Sequence, residues 1–499
     1  MNRILANIIL LAIMCIAFFL LLANLGNQYL WQDEAETAVV SKTILQYGVP
    51  HGYDGKNFFS QELGSDLGKN YVWRRLMWLP YYTVSGFYGI FGTSTFVSRL
   101  PFALFGIASV YLTYLFAAKW RQSKRIALIA AGLLTVCVAF LILARQCRYY
   151  SMGIFFSLLS LYFYALLLEK KKYSNILLFF SSMLLFHSQH IYIGILFPTL
   201  LLHTYIFHRD KLKSLSKVLG LVLLINSPWI IWLIGIDFSI AYGRNVMPLG
   251  MSIVRMIADI VHCVVPPMFI LLAVILLIFR AAKYKKLFAD RKSLERLSLL
   301  IFFVIFNMIV IVIVSPFPFF RYMSASIPIL IIIFALIVDA AISTNFIFAA
   351  AAIVLLIWTQ AGTSKLRDYL YEITHDFDGP IEGICKFLNE HGSADDVVAI
   401  TYGDMPLKFY TKMRIVGGLT GEKLEPARNA KWVVMRKYGN SDKDKKVKLF
   451  LQRNVDYTKY RPITIDYPDT PFENREYLGE HYFRTQNHED RVVIYERIN

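Results

Sequence analysis

Charge is what this chain has least of. Only 17% of its 499 residues are Asp, Glu, Lys or Arg, against about a quarter in an ordinary soluble domain. With 56% hydrophobic residues and a mean hydropathy of +0.48, that excludes an ordinary water-soluble enzyme and points to an integral membrane protein. Cysteine is scarce as well: Cys15, Cys137, Cys147, Cys263 and Cys385 stand singly, with no Cys-x-x-Cys. This argues against a disulfide framework and a structural zinc site. There is no internal repeat, no low-complexity tract and no Gly-rich phosphate loop. Acids are outnumbered 35 to 52 by lysine and arginine, for a net charge of +17. Such a surplus can signal nucleic acid, but here the basic residues fall between apolar runs. That is the pattern of cytoplasmic loops, and no nucleic-acid partner is expected.

A transmembrane helix needs about 20 apolar residues. Runs near that length fall at 4–24, 97–118, 126–144, 151–168, 174–188, 190–207, 217–236, 256–280, 297–315, 323–342 and 345–361. They predict a polytopic α-helical membrane protein of about 11 transmembrane helices. The first run resembles a signal peptide, but it is too long and no small-residue cleavage site follows, so it reads as an uncleaved helix. Alternation with Met1 inside puts loops 119–125, 169–173, 208–217, 280–296 and 339–345 on the inner side, and four of the five are strongly basic. The outer side then receives 25–96, the turn after the third span and the tail. Residues 1–362 form the transmembrane module, with 25–96 as a first outer loop carrying interfacial helices. Its segment 71–92 is aromatic and interrupted by Pro80 and Gly86. A full span there would invert every later loop and put the basic ones outside. Residues 363–499 read as a small soluble α/β domain on the outer face. A helical stretch over 366–391 precedes strands in DVVAITY, KWVVMR and RVVIYER, with a helix in PLKFYTK.

The stretch that points to chemistry is WQDEAETAVVSK, Trp31 to Lys42, just beyond the first span. It places Asp33, Glu34 and Glu36 within about a helical turn of the membrane surface. The alternative is that these acids merely cap a short surface helix, which is favourable at an N-terminus. Other outer polar residues include Lys69, Arg74, Arg75, Tyr149, Tyr150, Arg244, Arg255 and Arg321 with Tyr322. Arginines at a membrane boundary hold phosphate through bidentate, charge-assisted hydrogen bonds, though they also snorkel to headgroups. Arg145 and Arg148 stand out: their i,i+3 spacing puts both on one helical face, on the side where positive charge is normally depleted. His187 and His190 share that spacing and could hold a divalent cation. Without a nearby carboxylate the pair reads instead as polar packing at a loop.

Four segments in order resemble the GT-C superfamily of polytopic glycosyltransferases, in particular the group of protein O-mannosyltransferases and bacterial lipid A aminoarabinose transferases. WQDEAETA is similar to that family's Asp-Glu motif, and FGTSTFVSRLPFALFGIASVYLTYLFA to its second-span signature with Arg-Leu-Pro. ARQCRYYSM resembles the basic turn after span three, and FFRYMSASIPIL the Arg-Tyr before a late span. The tail segment ICKFLNEHGSADDVVAITYGDMPLKFYTKMRIVGG resembles the soluble outer domain of bacterial members. The resemblance implies an inverting glycosyltransferase that moves a sugar from a polyprenyl-phosphate donor to a lipid, glycan or protein acceptor. On it, Asp33 is the catalytic base and Glu34 its companion acid. Arg145, Arg148, Arg321 and Tyr322 fall where the donor phosphate is held. Many members carry Lys-Pro-Pro-Leu before the second span; this chain has WRRLMWLP, so Arg74 or Arg75 takes the lysine's place. Lys69, Tyr149, His190 and Arg244 are further candidates for substrate contact. Where some members have an Asp after span three, this chain has Gln146 and Cys147. No DxD-like cluster occurs on the outer side, so no cofactor and a metal-independent mechanism are expected. The resemblance is closer to bacterial members, which implies the inner membrane, with the acids and the tail on the periplasmic side. The rival reading from another class is a transporter or flippase of lipid-linked sugars. That class places ionisable groups near mid-membrane on broken helices, whereas here the polar residues collect at one face.

Overall fold

The structure, a computed structural model, describes residues 2–61, 64–74, 76–234, 247–280, 290–315, 318–359, 365–418, 422–437, 442–470, 478 and 481–498. It divides into two compact units. One comprises Met1–Ala23, Phe102–Ile230 and Asn245–Leu370; the other comprises Asn24–Pro101, Ile231–Arg244 and Tyr371–Asn499. The chain opens with helices α1 (Arg3–Leu22), α2 (Gln32–Tyr47), α3 (Leu79–Phe91) and α4 (Thr95–Arg121).

In the first unit the apolar runs become helices because each is long enough to satisfy its backbone internally, as a bilayer demands. Five helices have the length and composition to cross: α1, α4, Tyr150–Leu168, Arg291–Val314 and Phe320–Ile342. Three further pairs bend at short breaks: Lys124–Thr135 with Val138–Arg145 by 63°, Arg209–Ile225 with Ser227–Leu233 by 56°, and Leu249–Cys263 with Pro267–Phe279 by 91°. The sharpest bend falls at Pro266 and Pro267, which offer no backbone N–H to continue the ladder. The run at 256–280 is therefore not straight. Ser174–Ser188, Ile191–Phe207 and Phe346–Ile357 are shorter, at 15, 17 and 12 residues. Within the described residues, every apolar run read from the sequence falls on one of these elements. By length and composition five described helices can cross, or up to eight if each bent pair is one span, so length alone does not yield about eleven. The molecule is a multi-pass membrane protein.

The loops assigned to the inner side gather at one end of this unit. Lys119 Nζ donates to Glu169, Trp120 Nε1 to the Arg296 carbonyl, and Arg125 to Asp339 and Ser343. Arg280 reaches the Ser343 carbonyl, and His208 pairs with Glu295. All five loops are thus linked to one another, as alternation requires.

The second unit contains a five-stranded sheet: β1 (Val397–Ile400), β2 (Arg414–Gly417), β3 (Trp432–Val434), β4 (Tyr460–Pro468) and β5 (Arg491–Arg497). Its order is β2-β1-β3-β5-β4. β1 is parallel to β2 and β3, while β5 is antiparallel to β3 and β4. Both faces are apolar because both are covered. Val398, Ile400, Ile415 and Trp432 pack with Ile381, Ile384 and Leu388 of helix Pro380–His391. Ala399, Val416 and Val433 pack with Val447 and Leu451 of helix Asp442–Asn454. The period-two alternation along β1 sorts its residues to the two cores. Two strands were not read from the sequence. β2 is only four residues long. β4 contains Pro462 and Pro468, tolerated because it is an edge strand. The expected helix over 366–391 is two, Lys365–Glu372 and Pro380–His391. Pro380 sits in the first turn of the second, a position that suits it, and it disfavours helix in the residue before it.

Candidate functional site

In the second unit α2 starts at Trp31, whose φ and ψ of −77° and 173° are extended. Asp33 and Glu34 lie in its first turn, beside the positive end of the helix dipole. Glu34 accepts a hydrogen bond from the Trp31 N–H at 3.4 Å, the half of a capping box in which the third helical residue reaches back to the N-cap. The cap foreseen as the alternative is therefore real for Glu34, but α2 is largely buried rather than a surface helix. Gly48 ends it in the left-handed region at φ 75°, a conformation only glycine adopts without penalty.

Glu34 is wholly buried, and its carboxylate is held by Arg99 from the first turns of α4. Arg99 Nε donates to Oε1 at 2.8 Å and Nη2 to Oε2 at 2.6 Å. The remaining donors go to the carbonyls of Leu25, Gln28 and Tyr29 at 3.1, 2.9 and 3.2 Å. All five N–H groups of the guanidinium are in use. The pair locks the segment that leads into α2. Sequence reasoning quoted Arg99 within its Arg-Leu-Pro motif but gave it no part. The available signal was a lone arginine inside an apolar helix, where charge is expensive and usually paired.

Asp33 is half-buried and Glu36 is buried. One amide spans them: Gln61 Nε2 donates to Asp33 Oδ1 at 3.1 Å and to Glu36 Oε2 at 2.7 Å. Gln61 is fixed in turn by Asp66, which accepts from the Gln61 N–H and, at 2.6 Å, from Ser60 Oγ. The tail braces the same helix. Gln32 Nε2 donates to Asp404 Oδ1 at 2.8 Å, and buried Lys408 donates to Asp404 Oδ2 and to the Phe58 carbonyl, each at 2.7 Å. Asp404 needs Gly418, at φ +60°, beside it: a Cβ there would stand 1.9 Å from Oδ1. The Tyr410 hydroxyl accepts from the Leu30 N–H at 2.8 Å. Burial holds its pKa far above the ordinary phenol range, so it stays protonated. Asn57 caps edge strand β2, accepting from Ile415 N–H at 2.8 Å and donating to the Met413 carbonyl at 3.1 Å. First loop and tail are one packed body.

Also in this unit, Lys69 opens a short 3₁₀ turn and is exposed. Arg74 Nη2 donates to the Trp232 carbonyl at 2.7 Å, and its guanidinium lies 5.5 Å from that indole's centre. Arg75 and Arg244 lie outside the described residues.

In the first unit, helix Val138–Arg145 stops and Gln146 is extended at φ −85° and ψ 143°. Arg145 and Arg148 therefore do not share a helical face, contrary to the spacing argument. Arg145 Nη1 donates to the Leu20 carbonyl at 3.1 Å and its guanidinium lies 5.9 Å from the Tyr369 ring centre. Arg148 is buried in the turn. The same break separates the histidines: Gln189 is extended between His187 and His190. His187 packs edge-on against Trp229 at 5.7 Å. Among the described residues no group of three or more His, Cys, Asp or Glu could hold a metal ion.

Several elements do converge at these turns. The Tyr149 and Tyr192 rings are 6.5 Å apart. Tyr192 packs against Gly153, where a Cβ would be 2.2 Å from the ring, and its hydroxyl bonds Ser324 Oγ at 2.6 Å. Ser324 belongs to the 3₁₀ turn Phe320–Ser326, which carries Arg321 and Tyr322. The guanidiniums of Arg321 and Arg255 lie 4.7 and 6.0 Å from the Phe319 ring centre. Among the described residues, four buried polar atoms on these turns have no hydrogen-bond partner: Gln146 Oε1, Ser151 Oγ, Gln189 Oε1 and His190 Nδ1. A buried polar group left unpaired costs about 1–3 kcal/mol. Sequence reasoning named Tyr149, His190, Arg321 and Tyr322 but assigned nothing to Gln189, Ser151 or Tyr192, since single polar residues in apolar helices carry no spacing signal.

Residues 78–232 match the model of the family described as dolichyl-phosphate-mannose-protein mannosyltransferase. No curated protein matches the chain. Among solved structures, ArnT from Cupriavidus metallidurans in the apo state superposes with a TM-score of 0.62 at 14% identity, over 98% of each chain. The same protein bound to undecaprenyl phosphate gives 0.59 at 14% identity over 97% of each. The archaeal oligosaccharyltransferase AglB from Archaeoglobus fulgidus, in complex with an inhibitory peptide and a dolichol-phosphate, gives 0.57 at 12% identity. That match covers 86% of this chain and 69% of the other. The fold is thus shared with these solved structures, as the resemblance of the sequence motifs implied.

Proposed function

We propose that this chain is an inverting glycosyltransferase. It moves a sugar from a polyprenyl-phosphate donor to a lipid, glycan or protein acceptor, on the outer face of a bacterial inner membrane. The observation that carries the reading is the division of labour on α2. Glu34 is consumed by Arg99, whereas half-buried Asp33 keeps a carboxylate at the helix N-terminus, steadied by Gln61. The shared fold supports it, since the solved ArnT and AglB structures hold undecaprenyl phosphate and a dolichol-phosphate.

The acceptor hydroxyl attacks the anomeric carbon as the bond to the phosphate oxygen breaks, and the electron pair leaves with the phosphate. Asp33 takes the hydroxyl proton. A carboxylate of pKa about 4 is a weak base for an alcohol in the ground state, but the hydroxyl acidifies as its new bond forms. Such assistance contributes about 10²–10⁴ in rate. Guanidinium groups stabilise the departing phosphate in the place a cation would take; Arg148, Arg321 and Tyr322 are assigned to it. Arg145 and Arg74, each engaged with a backbone carbonyl, are assigned supporting parts, and Lys69 an acceptor contact. Glu34 serves as a positioning residue.

The test is transfer in membranes from radiolabelled polyprenyl-phosphate sugars. Asp33→Asn is expected to lower turnover by about 10²–10⁴ at unchanged expression and thermal stability. Near-normal turnover in that variant would remove Asp33 from the reaction.

A further inference from the structure

We propose that Gln146, Ser151 and Gln189, with His190 beside them, form the hydroxyl-recognising wall of a donor-sugar site selective for neutral sugars. The inference rests on the donor reading given above and adds the sugar class, which that reading leaves open.

Gln146 and Gln189 are 5% and 4% exposed and Ser151 is fully buried, yet Gln146 Oε1, Ser151 Oγ and Gln189 Oε1 find no partner among the described residues. Buried acceptors are nearly always satisfied, by protein, water or ligand. Here several orphans stand on two turns that meet. Gln146 and Ser151 flank Tyr149, whose ring faces Tyr192, and Tyr192 N–H donates to the Gln189 carbonyl at 3.1 Å. The unpaired atoms are mainly acceptors, so the missing partner must present donors. A sugar offers several hydroxyls, each able to donate one hydrogen bond. Uncharged amides suit a neutral sugar. A uronate would bring a carboxylate against amide and hydroxyl oxygens. An amino sugar would bring an ammonium, whose N–H groups the amide oxygens could accept but whose charge no carboxylate among these residues offsets. The rings of Tyr149 and Tyr192 supply aromatic surface beside the acceptors, and the arginine-bearing turn Phe320–Ser326 is tied on through Tyr192 and Ser324.

The experiment measures binding to the full chain in nanodiscs, with bare undecaprenyl phosphate and the same lipid carrying mannose, glucuronate or 4-amino-arabinose. The wild type is expected to bind the mannosyl lipid at least ~10-fold tighter than the bare lipid. Gln146→Leu and Gln189→Leu should each lose most of that increment while binding bare lipid as before, which also certifies their fold. Gln189→Glu should shift preference toward the amino sugar. Equal binding of bare and mannosyl lipid by the wild type, or leucine variants that keep the increment, would overturn the inference alone and leave a water-filled pocket. Failure of the wild type to bind bare or glycosylated lipid would overturn the donor reading and this inference with it.

Discussion

Two polar regions of this molecule are built on opposite rules. Around Arg99 every donor has an acceptor: two carboxylate oxygens of Glu34 and three carbonyls absorb the whole guanidinium. Around Gln146 and Gln189, buried acceptors lack donors among the described residues. A saturated network rigidifies, because every alternative arrangement breaks a bond in a low dielectric. An unsaturated one is held only because the fold around it is stable elsewhere, and it is paid back when something binds. The first region sets where α2 begins; the second is where a ligand would gain most.

The contrast can be broken at its stiff end first. Replacing Arg99 by Met strands the buried Glu34 carboxylate, and breaking a buried pair from one side costs about 3–5 kcal/mol. Thermal unfolding in detergent should fall sharply and activity with it; a variant as stable as the wild type would mean that the pair is not structural. Arg321→Ala should behave differently. Loss of one donor to developing charge costs about 3–4 kcal/mol in the transition state, so turnover drops about 10²–10³ with little change in unfolding. An Arg321→Ala protein that unfolds early instead would move Arg321 into the structural class. Gln61→Leu is expected to be mildest. A hydrogen bond to a charged group is worth about 1.5–3 kcal/mol, and its loss leaves Asp33 and Glu36 without their shared donor. The resulting carboxylate repulsion should raise the pH at which activity falls off on the acid side. An unshifted pH–rate profile would show that Gln61 does not govern the pair.

Much of the architecture is legible in composition. The apolar runs announce the helices, and the basic loops, linked from Lys119 to Glu169 and from Arg125 to Asp339, do meet at one end. Spacing arguments fared worse wherever a helix ended. Arg145 and Arg148 look adjacent on a wheel, yet Gln146 is extended and sends them apart; Gln189 does the same to His187 and His190. Hydrophobicity carries no mark of such breaks when they fall at polar residues inside an apolar stretch. The second helix of the stretch 366–391, Pro380–His391, starts at a signal visible in the chain, the proline of its first turn. Strand β4 was hidden by its prolines, which only its edge position permits.

From the chain alone came everything governed by local chemistry: that it lives in a bilayer, which loops share a side, that acids follow the first span, and that a mixed α/β segment closes the chain. What the folded molecule decided is which partner each of three neighbouring carboxylates takes. Glu34 is consumed by an arginine 65 residues away, while Asp33 shares an amide 28 residues on. The tail anchors Gln32 from 372 positions downstream. Partners at such separations leave no periodic trace, because they are selected by packing of remote segments and by the penalty for burying an unpaired charge, neither of which is a property of any short stretch.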